Sequence, residues 1–472
     1  MPRRRAILAI VAALAIVFGV LTPTSGAQDE PGPAPPPLVG DTTFPASGEY
    51  PDIAYLEMFF PSLGTSTCSG TLVAPMWVLT AAHCVQSDNG FATEHATTVT
   101  VYLGMVSILD EAFPPVAGTE VHTAEAWIVH GDYNPLTFAN DVALVKLRTA
   151  SAIAPRAISN QPALVKPAAG SPLPAIVFGF GQFCASSPCV FSPGPSGTDF
   201  KLRMGTTQII TDTEAETFEG GTGFPTDLRN SALFTLPDVT TDGAICFGDS
   251  GGPTMVEQGT DNWVVAGVNS HIFTPLDRCA PHTGTEYLNG ISDIVNSNLA
   301  SWVSQVLNPP AKKCFGQPVD IVGTGFPDTI VGTGVSNSFH GRGGRDLLIG
   351  RGSADLLCGG SFSDLIQGGF GNDKIKGEGG PDLLFGQRGA DRIVGNTGND
   401  LLDGGRGADT LLGARGNDII DGRGGRDTAK GNAGDDDIFG GFGNDILRGG
   451  FGNDNLAGGP GVDDCRGGPG QN

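Results

Sequence analysis

The spacing of apolar residues changes twice along the chain. A run of apolar residues with no charged or polar side chain covers residues 6–21. Short apolar segments, such as 71–80 and 141–147, then alternate with clusters of Gly, Pro and Asn, which predicts antiparallel β-strands. Residues 292–307 have the spacing of an amphipathic helix, and the Asn-Pro-Pro of 308–310 would end it. From residue 328 onward the pattern recurs every nine positions.

The nine-residue period keeps three residue types in fixed phase. Glycine stands five residues before each period position, and an apolar residue stands two residues after it. Such a phase predicts a parallel β-helix whose apolar column points inward, because one turn alone cannot bury its apolar face. The period positions carry Asp or Asn sixteen consecutive times: Asp328, Asn337, Asp346, Asp355, Asp364, Asp373, Asp382, Asp391, Asp400, Asp409, Asp418, Asp427, Asp436, Asp445, Asp454 and Asp463.

Stacked aspartates at this spacing indicate a metal ladder. Like charges on adjacent turns repel unless a cation lies between them, and Ca²⁺ takes six to eight oxygen ligands of the kind that carboxylates and turn carbonyls supply. We therefore predict Ca²⁺ as the cofactor of this region and none for the protein's other chemistry. The candidate ligands are Asp346, Asp355, Asp364, Asp373, Asp382, Asp391, Asp400, Asp409, Asp418, Asp427, Asp436, Asp445 and Asp454.

Two of these repeats, GGFGNDKIK around Asp373 and GGRGADTLL around Asp409, resemble the RTX nonapeptide repeats. The resemblance implies a β-roll over residues 328–472, with successive turns alternating between two sheets. Several positions depart from the pattern: Asn337 replaces an aspartate, Ser353 and Phe362 replace glycines, and Ala429 and Cys465 stand in the aliphatic column.

The N-terminus has the features of an export signal. Three arginines at 3–5 precede the apolar run, and Ser25-Gly26-Ala27 supplies small residues where a signal peptidase would cut. We predict a signal peptide over 1–27, a Pro-rich propeptide or lead-in over 28–37, and a secreted, extracellular protein that is not an integral membrane protein. The formal net charge is −23 without a basic stripe, so nucleic acid is a poor partner.

Three short motifs carry candidate chemistry: LTAAHC ending at Cys84, NDVAL containing Asp141, and CFGDSGGP containing Ser250. A serine hydroxyl is a weak nucleophile, so Ser250 needs a base such as His83, which a carboxylate such as Asp141 orients. In this order and on all-β sequence, the motifs resemble the trypsin-like serine proteases. The resemblance covers 38–308 and implies an all-β, two-barrel chymotrypsin-like domain with a C-terminal helix, followed by a linker over 309–327.

The resemblance also implies roles for further residues. The backbone N–H groups of Gly248 and Ser250 would form the oxyanion hole. Ala244, Ser270 and Ile272 would line the specificity pocket, and because no acid stands there, small or medium apolar side chains are expected to be preferred over Lys or Arg. An activation site matches best at Leu38: either another protease trims the Pro-rich segment, or Asp249 pairs with a different cation.

Nine cysteines in an exported protein predict disulfides rather than metal ligands. The resemblance implies that Cys68 pairs with Cys84 and that Cys246 pairs with Cys279, and Cys184 with Cys189 would close a local loop. Three cysteines remain: Cys314, Cys358 and Cys465. Two of them would form a disulfide in the repeat region, and the third would be free or linked to another chain.

Two functions fit these patterns. The first is a secreted serine endopeptidase that acts on protein or peptide substrates, with a calcium-binding repeat domain for stability or for attachment to a cell surface or matrix. The alternative is a catalytically inert protease scaffold that serves as a secreted calcium-dependent adhesin. A zinc protease is disfavoured because the HExxH motif does not occur.

Overall fold

A computed structural model describes residues 50–88, 93–105, 107–108, 119–160, 173–180, 200–201, 203–210, 232–237, 250–260, 262–273, 288–295 and 298–470. The predicted signal peptide and lead-in, 1–37, lie outside this set. The chain divides into two compact units. The first consists of residues up to 123, 133–143 and 149–299, and the second of 124–132, 144–148 and 300–472.

The first part of the chain folds into antiparallel strands, as the alternation of apolar segments predicts. The strands are β1 Ile53–Phe60, β2 Gly64–Ala74, β3 Trp77–Thr80, β4 Gln86–Asp88, β5 Thr93–His95, β6 Thr98–Leu103, β7 Ser107–Ile108, β8 Glu120–His130, β9 Ala143–Leu147, β10 Leu173–Gly179, β11 Phe200–Lys201, β12 Arg203–Ile210, β13 Ala232–Pro237, β14 Pro253–Glu257, β15 Trp263–Phe273 and β16 Leu288–Asp293. Helix α1 spans Ala82–Val85 and α2 spans Asn298–Leu307.

Twelve of these strands form two sheets that each close on themselves, while β4 pairs with β5 and β7 pairs with β11. One has the order β8-β6-β1-β2-β3-β9, with a further pairing of β8 with β9, and the other is a closed barrel of order β10-β12-β13-β16-β15-β14. Apolar side chains from both sheets share one core, in which Ile53, Phe178, Phe180 and Met255 are almost fully buried. The predicted two-barrel, all-β fold is confirmed.

The predicted helix over 292–307 begins later than its apolar spacing indicates. Ser292 and Asp293 complete β16, where they pair with Val268 and Gly267 of β15, and α2 begins only at Asn298. Pairing with the barrel therefore overrides the local helical pattern at its first residues. The helix ends at Leu307, directly before the Asn-Pro-Pro segment, as predicted.

From residue 313 onward the chain forms a short antiparallel pair of strands and then two parallel ladders. The strands of this region are β17 Lys313–Cys314, β18 Gln317–Pro318, β19 Ile321–Val322, β20 Asp328–Val331, β21 Ser338–Gly343, β22 Leu347–Gly352, β23 Leu356–Ser361, β24 Leu365–Phe370, β25 Lys374–Gly379, β26 Leu383–Arg388, β27 Arg392–Thr397, β28 Leu401–Asp403, β29 Thr410–Arg415, β30 Ile419–Asp421, β31 Thr428–Ala433, β32 Asp437–Phe439, β33 Ile446–Phe451, β34 Asn455–Ala457 and β35 Asp464–Arg466.

Successive turns alternate between the ladders, so each residue pairs with the residue eighteen positions later. One ladder runs β20-β22-β24-β26-β28-β30-β32-β34, and the other runs from β19 through the odd-numbered strands β21 to β35. In-register pairs such as Leu348 with Ile366 place the aliphatic column inside, where Leu348, Ile366 and Leu384 are fully buried. The predicted β-roll is confirmed.

The turns between strands require positive φ angles. Gly389 has φ +139°, and a Cβ there would lie 1.5 Å from the carbonyl oxygen of Gly371 on the neighbouring turn. Where Ser353 and Phe362 replace the glycine two residues before an aspartate, the backbone keeps a positive φ, 70° and 77°. The departures noted in the sequence are therefore absorbed without a break in the ladder.

The first repeat strand also has a partner from earlier in the chain. Within the second unit, β20 pairs antiparallel with the end of β8: Asp328 with His130, Thr329 with Val129, Ile330 with Ile128 and Val331 with Trp127. The side-chain amide of Asn337 donates to the carbonyl oxygen of Glu125 at 3.4 Å. Segment 124–132 is thus part of the same compact unit as the repeats.

Candidate active site and calcium ladder

His83 and Asp141 form a buried, hydrogen-bonded pair in the first unit. His83 lies on the single turn α1, and its Nδ1 is 2.7 Å from Asp141 Oδ2. The backbone N–H of His83 donates to Asp141 Oδ1 at 3.0 Å, so the carboxylate fixes both the ring and the turn. The Asp141 side chain is 0% exposed, whereas His83 keeps 24% exposure. Part of the His83 ring is therefore open to solvent.

In this pair, each residue stabilises the charged form of the other. Burial disfavours the charged form of His83, but the charge of Asp141 and its hydrogen bond outweigh burial and raise the pKa of His83 above its ordinary value. Burial likewise opposes ionisation of Asp141, but attraction to His83 and the hydrogen bonds from His83 and Ser270 lower the pKa of Asp141. Asp141 therefore remains ionised and stabilises a protonated His83.

Two serines hold Asp141 that the sequence patterns did not assign to this role. The Ser270 hydroxyl donates to Asp141 Oδ2, and the Ser292 hydroxyl donates to the Asp141 carbonyl oxygen at 2.8 Å. Ser270 is buried, and the resemblance implied only a pocket-lining position for it. The position of Ser270 in strand β15 indicates that its side chain is buried. It does not identify Asp141 as the hydrogen-bond partner.

The backbone places Ser250 beside the segment that carries His83. The N–H of Ser69 donates to the Ser250 carbonyl oxygen at 2.7 Å, and Sγ of Cys84 lies 3.7 Å from the same oxygen. Gly251 has φ +83°, and a Cβ there would lie 2.1 Å from Thr80 Oγ1, so only glycine fits after the serine. Cys84 is joined to Cys68 by a disulfide, which ties α1 to β2.

Several expected site residues lie outside the described residues: Ala244, Cys246, Gly248, Asp249 and Cys279, and with them Cys184 and Cys189. The backbone of Ile272 belongs to β15, but nothing is described of its side chain. The oxyanion hole and the specificity pocket therefore remain sequence-based predictions. Phe138, which no motif singled out, packs edge-on against the His83 ring with 5.7 Å between ring centroids.

The repeat aspartates form two continuous columns of hydrogen bonds. The backbone N–H of a residue at a period position donates to Oδ1 of the aspartate eighteen residues later. Examples are Asp346 to Asp364 at 2.9 Å and Asp355 to Asp373 at 2.8 Å. Among the described residues, thirteen aspartates bury an Oδ2 atom without a hydrogen-bond partner: Asp346, Asp355, Asp364, Asp373, Asp382, Asp391, Asp400, Asp409, Asp418, Asp427, Asp436, Asp445 and Asp454. These are the thirteen candidate ligands.

The orphaned oxygens fit Ca²⁺. A Cβ on Gly341 would lie 2.2 Å from Asp346 Oδ2 and 2.5 Å from the carbonyl oxygen of Gly359, so the glycine leaves open a space onto which carboxylate and carbonyl oxygens converge. Burial, followed by the charges of Asp328 and Asp364, raises the pKa of Asp346 to about 9. A bound cation would offset the free-energy cost of ionising these buried carboxylates, because it would pair with their negative charges.

The first two period positions are occupied by protein partners instead. Asp328 accepts hydrogen bonds from the indole N–H of Trp302 and from the backbone N–H of Thr324, the latter at 2.6 Å. Asn337 Oδ1 accepts from the Thr333 N–H at 3.1 Å. The orphaned ladder therefore begins at Asp346.

The cysteine pairing left open in the repeat region is resolved. Cys314 and Cys358 form a disulfide with a Cα–Cα distance of 5.7 Å, and both residues are fully buried. Cys465 is free and exposed. In the described part of the chain, no helix has the length and apolar composition needed to cross a membrane.

Two known protein families match parts of this chain. The family model described as Trypsin matches residues 50–288. The model described as RTX calcium-binding nonapeptide repeat matches five segments, 322–357, 359–393, 385–420, 412–447 and 439–472. A solved structure of HL collagenase aligns with 58% of this chain and 99% of its own, at 24% identity and a TM-score of 0.42.

Three of the similar curated proteins are proteases. A collagenase of Hypoderma lineatum is 29% identical over 230 residues, which cover 48% of this chain and 74% of that protein. Serine protease SP24D of Anopheles gambiae is 31% identical over 42% of this chain and 63% of its own length, and a trypsin of Sarcophaga bullata is 35% identical over 27% and 43%. The chain belongs to the trypsin family of serine proteases and carries RTX calcium-binding nonapeptide repeats at its C-terminus.

Proposed function

We propose that this protein is a secreted serine endopeptidase whose nucleophile is Ser250. The observation that carries the proposal is the buried Asp141 carboxylate, 2.7 Å from Nδ1 of a partly exposed His83. A carboxylate on Nδ1 leaves the other ring nitrogen, Nε2, as the proton acceptor. The backbone contacts of Ser250 with Ser69, and the proximity of its carbonyl oxygen to Cys84, support its place beside that histidine.

In the proposed reaction, Ser250 Oγ attacks the peptide carbonyl carbon while His83 takes the hydroxyl proton. The oxygen of the tetrahedral intermediate is stabilised by the N–H groups of Gly248 and Ser250, and one such donor contributes about 10²–10³ in rate. His83 then returns the proton to the leaving amine, and an acyl ester on Ser250 remains. Water, deprotonated by His83, releases the acid and restores the serine. Asp141 stays ionised throughout.

The calcium ladder has no part in this chemistry. Ca²⁺ bound by the aspartates from Asp346 to Asp454 would neutralise their charge and stabilise the β-roll, because metal binding and folding are thermodynamically linked. The proposal that the protein is exported rests on residues 1–27, which combine an apolar run with small residues at the expected signal-peptidase cleavage site. We propose stability and attachment to a surface or matrix as the roles of the repeats.

The replacement Ser250→Ala tests the proposed mechanism. It should abolish peptide hydrolysis and leave the circular dichroism spectrum unchanged, because it removes one hydroxyl group. Ser361→Ala, at an exposed serine in the repeats, is the matched control and should keep full activity. Turnover that persists in Ser250→Ala would contradict the mechanism. An inactive wild type with a folded spectrum would favour the inert adhesin instead.

The proposed pocket has a separate test. Because Ala244 replaces an acid at its base, peptides with Ala, Val or Leu before the scissile bond should have a higher kcat/KM than peptides with Lys or Arg. A buried ammonium or guanidinium would lack a partner charge there. The reverse order of kcat/KM would contradict the assignment of Ala244 and Ile272 to the pocket, but would leave Ser250 as the nucleophile.

A further inference from the structure

One edge of the β-roll carries an aligned row of five residues, four of which have exposed side chains. We call it the edge row and define it as Phe370, Arg388, Arg406, Gly424 and Phe442. Phe370 pairs in register with Arg388, and parallel bridges join Arg388 to Arg406, Arg406 to Gly424, and Gly424 to Phe442. Neighbouring strands lie about 4.8 Å apart, so the row is roughly 19 Å long and one side chain wide.

Both ends of the row expose an aromatic ring. Phe370 is 59% exposed and Phe442 is 71% exposed. The guanidinium of Arg388 lies over the Phe370 ring, 4.8 Å from its centroid, which holds the arginine against the edge through a cation–π contact. Exposed aromatic rings that are aligned with charged side chains indicate a binding surface more strongly than single scattered rings do.

The two arginines stand side by side without acidic partners. Arg388 and Arg406 are exposed, and within the described part of the chain neither has an ion pair. The residues that follow them, Gly389-Ala390 and Gly407-Ala408, are uncharged. The next aspartates, Asp391 and Asp409, are buried in the calcium ladder. Two like charges about one strand spacing apart repel each other, so an external anion would relieve an unfavourable contact.

The other ladder also exposes basic side chains. Lys374 and Arg392 lie at the start of β25 and β27, paired in register, and both are exposed. These exposed cations lie on a chain whose formal net charge is −23. The pair of adjacent arginines is not a general property of the repeat, because the corresponding positions on the other edge place Thr397, Arg415, Ala433 and Phe451 in consecutive register, with a single arginine.

We propose that the edge row binds a linear acidic polysaccharide that runs along the axis of the β-roll. Arg388 and Arg406 would pair with carboxylate or sulfate groups on successive sugars, and Phe370 and Phe442 would stack against sugar rings at the two ends. Binding requires the folded repeats but not the protease chemistry. The proposal identifies the class of partner for attachment through the repeats.

The geometry favours this polymer over other polyanions. Duplex nucleic acid carries one charge per about 1.7 Å of its axis, and bringing such a charge density near a strongly acidic chain requires more than one short row of cations. A membrane surface is a plane, whereas the row is a single line. Single-stranded nucleic acid also stacks on aromatic rings, so it is the competitor that the experiment must include.

The test is a titration of calcium-loaded, full-length protein with four probes: dextran sulfate, polygalacturonate, uncharged dextran and single-stranded DNA. The proposal predicts binding to at least one of the two acidic polysaccharides, weaker binding at higher salt, and no binding to dextran. The double variant Arg388→Gln/Arg406→Gln should weaken that binding roughly 2- to 30-fold, the effect of losing two exposed charge contacts. Arg415→Gln, on the opposite edge, should bind like the wild type.

A second variant keeps the test decisive. Phe442→Ala leaves the charges intact and should weaken polysaccharide binding several-fold, with an unchanged circular dichroism spectrum and unchanged hydrolysis of small peptides. No binding to either acidic polysaccharide, equal binding by the double variant and Arg415→Gln, or tighter binding to DNA would each overturn the proposal. None of these results bears on Ser250, which is tested by its own variant.

Discussion

The backbone contact at Gly389 offers a quantitative test of the β-roll geometry. Gly389 has φ +139°, and a Cβ there would lie 1.5 Å from the Gly371 carbonyl oxygen. Gly389→Ala therefore adds conformational strain of about 1–3 kcal/mol and a steric displacement of about 1–3 kcal/mol. The reduced entropy of the unfolded chain offsets about 0.4–1 kcal/mol of this. The expected net destabilisation is ~3 kcal/mol, or ~100-fold in the folding equilibrium constant.

Gly343 provides the matched control. A Cβ on Gly343 meets nothing within 4 Å, and its φ lies outside the left-handed region. Gly343→Ala should therefore be neutral or slightly stabilising. The assay is urea unfolding at saturating Ca²⁺, followed by circular dichroism, together with a Ca²⁺ titration of each variant. Equal unfolding midpoints for the two alanine variants would refute the stacking of adjacent turns described for the β-roll.

Three further predictions follow from the two sites. Chelation of Ca²⁺ should remove hydrogen-exchange protection from residues 346–454 of the full-length protein, because thirteen buried carboxylates lose their counter-ions, and protection that survives chelation would contradict the metal ladder. The kcat/KM for peptides should fall as pH falls through the pKa of His83, which its pairing with Asp141 raises above the ordinary 6.5, because protonated His83 cannot accept a proton; a profile that is flat on the acid side would exclude it as the base. Trp302→Phe should lower the free energy of unfolding by about 2 kcal/mol, because it leaves the buried Asp328 Oδ1 without its donor, and an unchanged stability would show that this hydrogen bond is unimportant.

The repeat region could be predicted from the sequence almost completely. Because Asp, Gly and an aliphatic residue keep a fixed phase, the register of every turn follows from counting in nines. The same counting does not show that Asp328 is occupied by Trp302, since that donor comes from helix α2, twenty-six residues earlier. Nor does it choose among three possible pairings of Cys314, Cys358 and Cys465, which only the spatial proximity of two of them decides.

The protease region was less accessible to sequence reasoning. Its motifs identify His83, Asp141 and Ser250 by resemblance, but they carry no information on the hydroxyls that hold Asp141. Ser270 and Ser292 approach Asp141 from strands β15 and β16, more than a hundred residues later in the chain. Such contacts depend on how the barrels close. The start of helix α2 was predicted too early because Ser292 and Asp293 pair with strand β15, and this pairing also depends on how the barrel closes.

The most direct test of the proposed function is to label the purified protein with a serine-directed fluorophosphonate and locate the modified residue by mass spectrometry. If His83 and Asp141 activate Ser250, the label should be found on Ser250, and it should be absent from protein denatured before labelling, because an isolated serine hydroxyl is a weak nucleophile. Native, folded protein that leaves Ser250 unmodified would contradict the proposed mechanism.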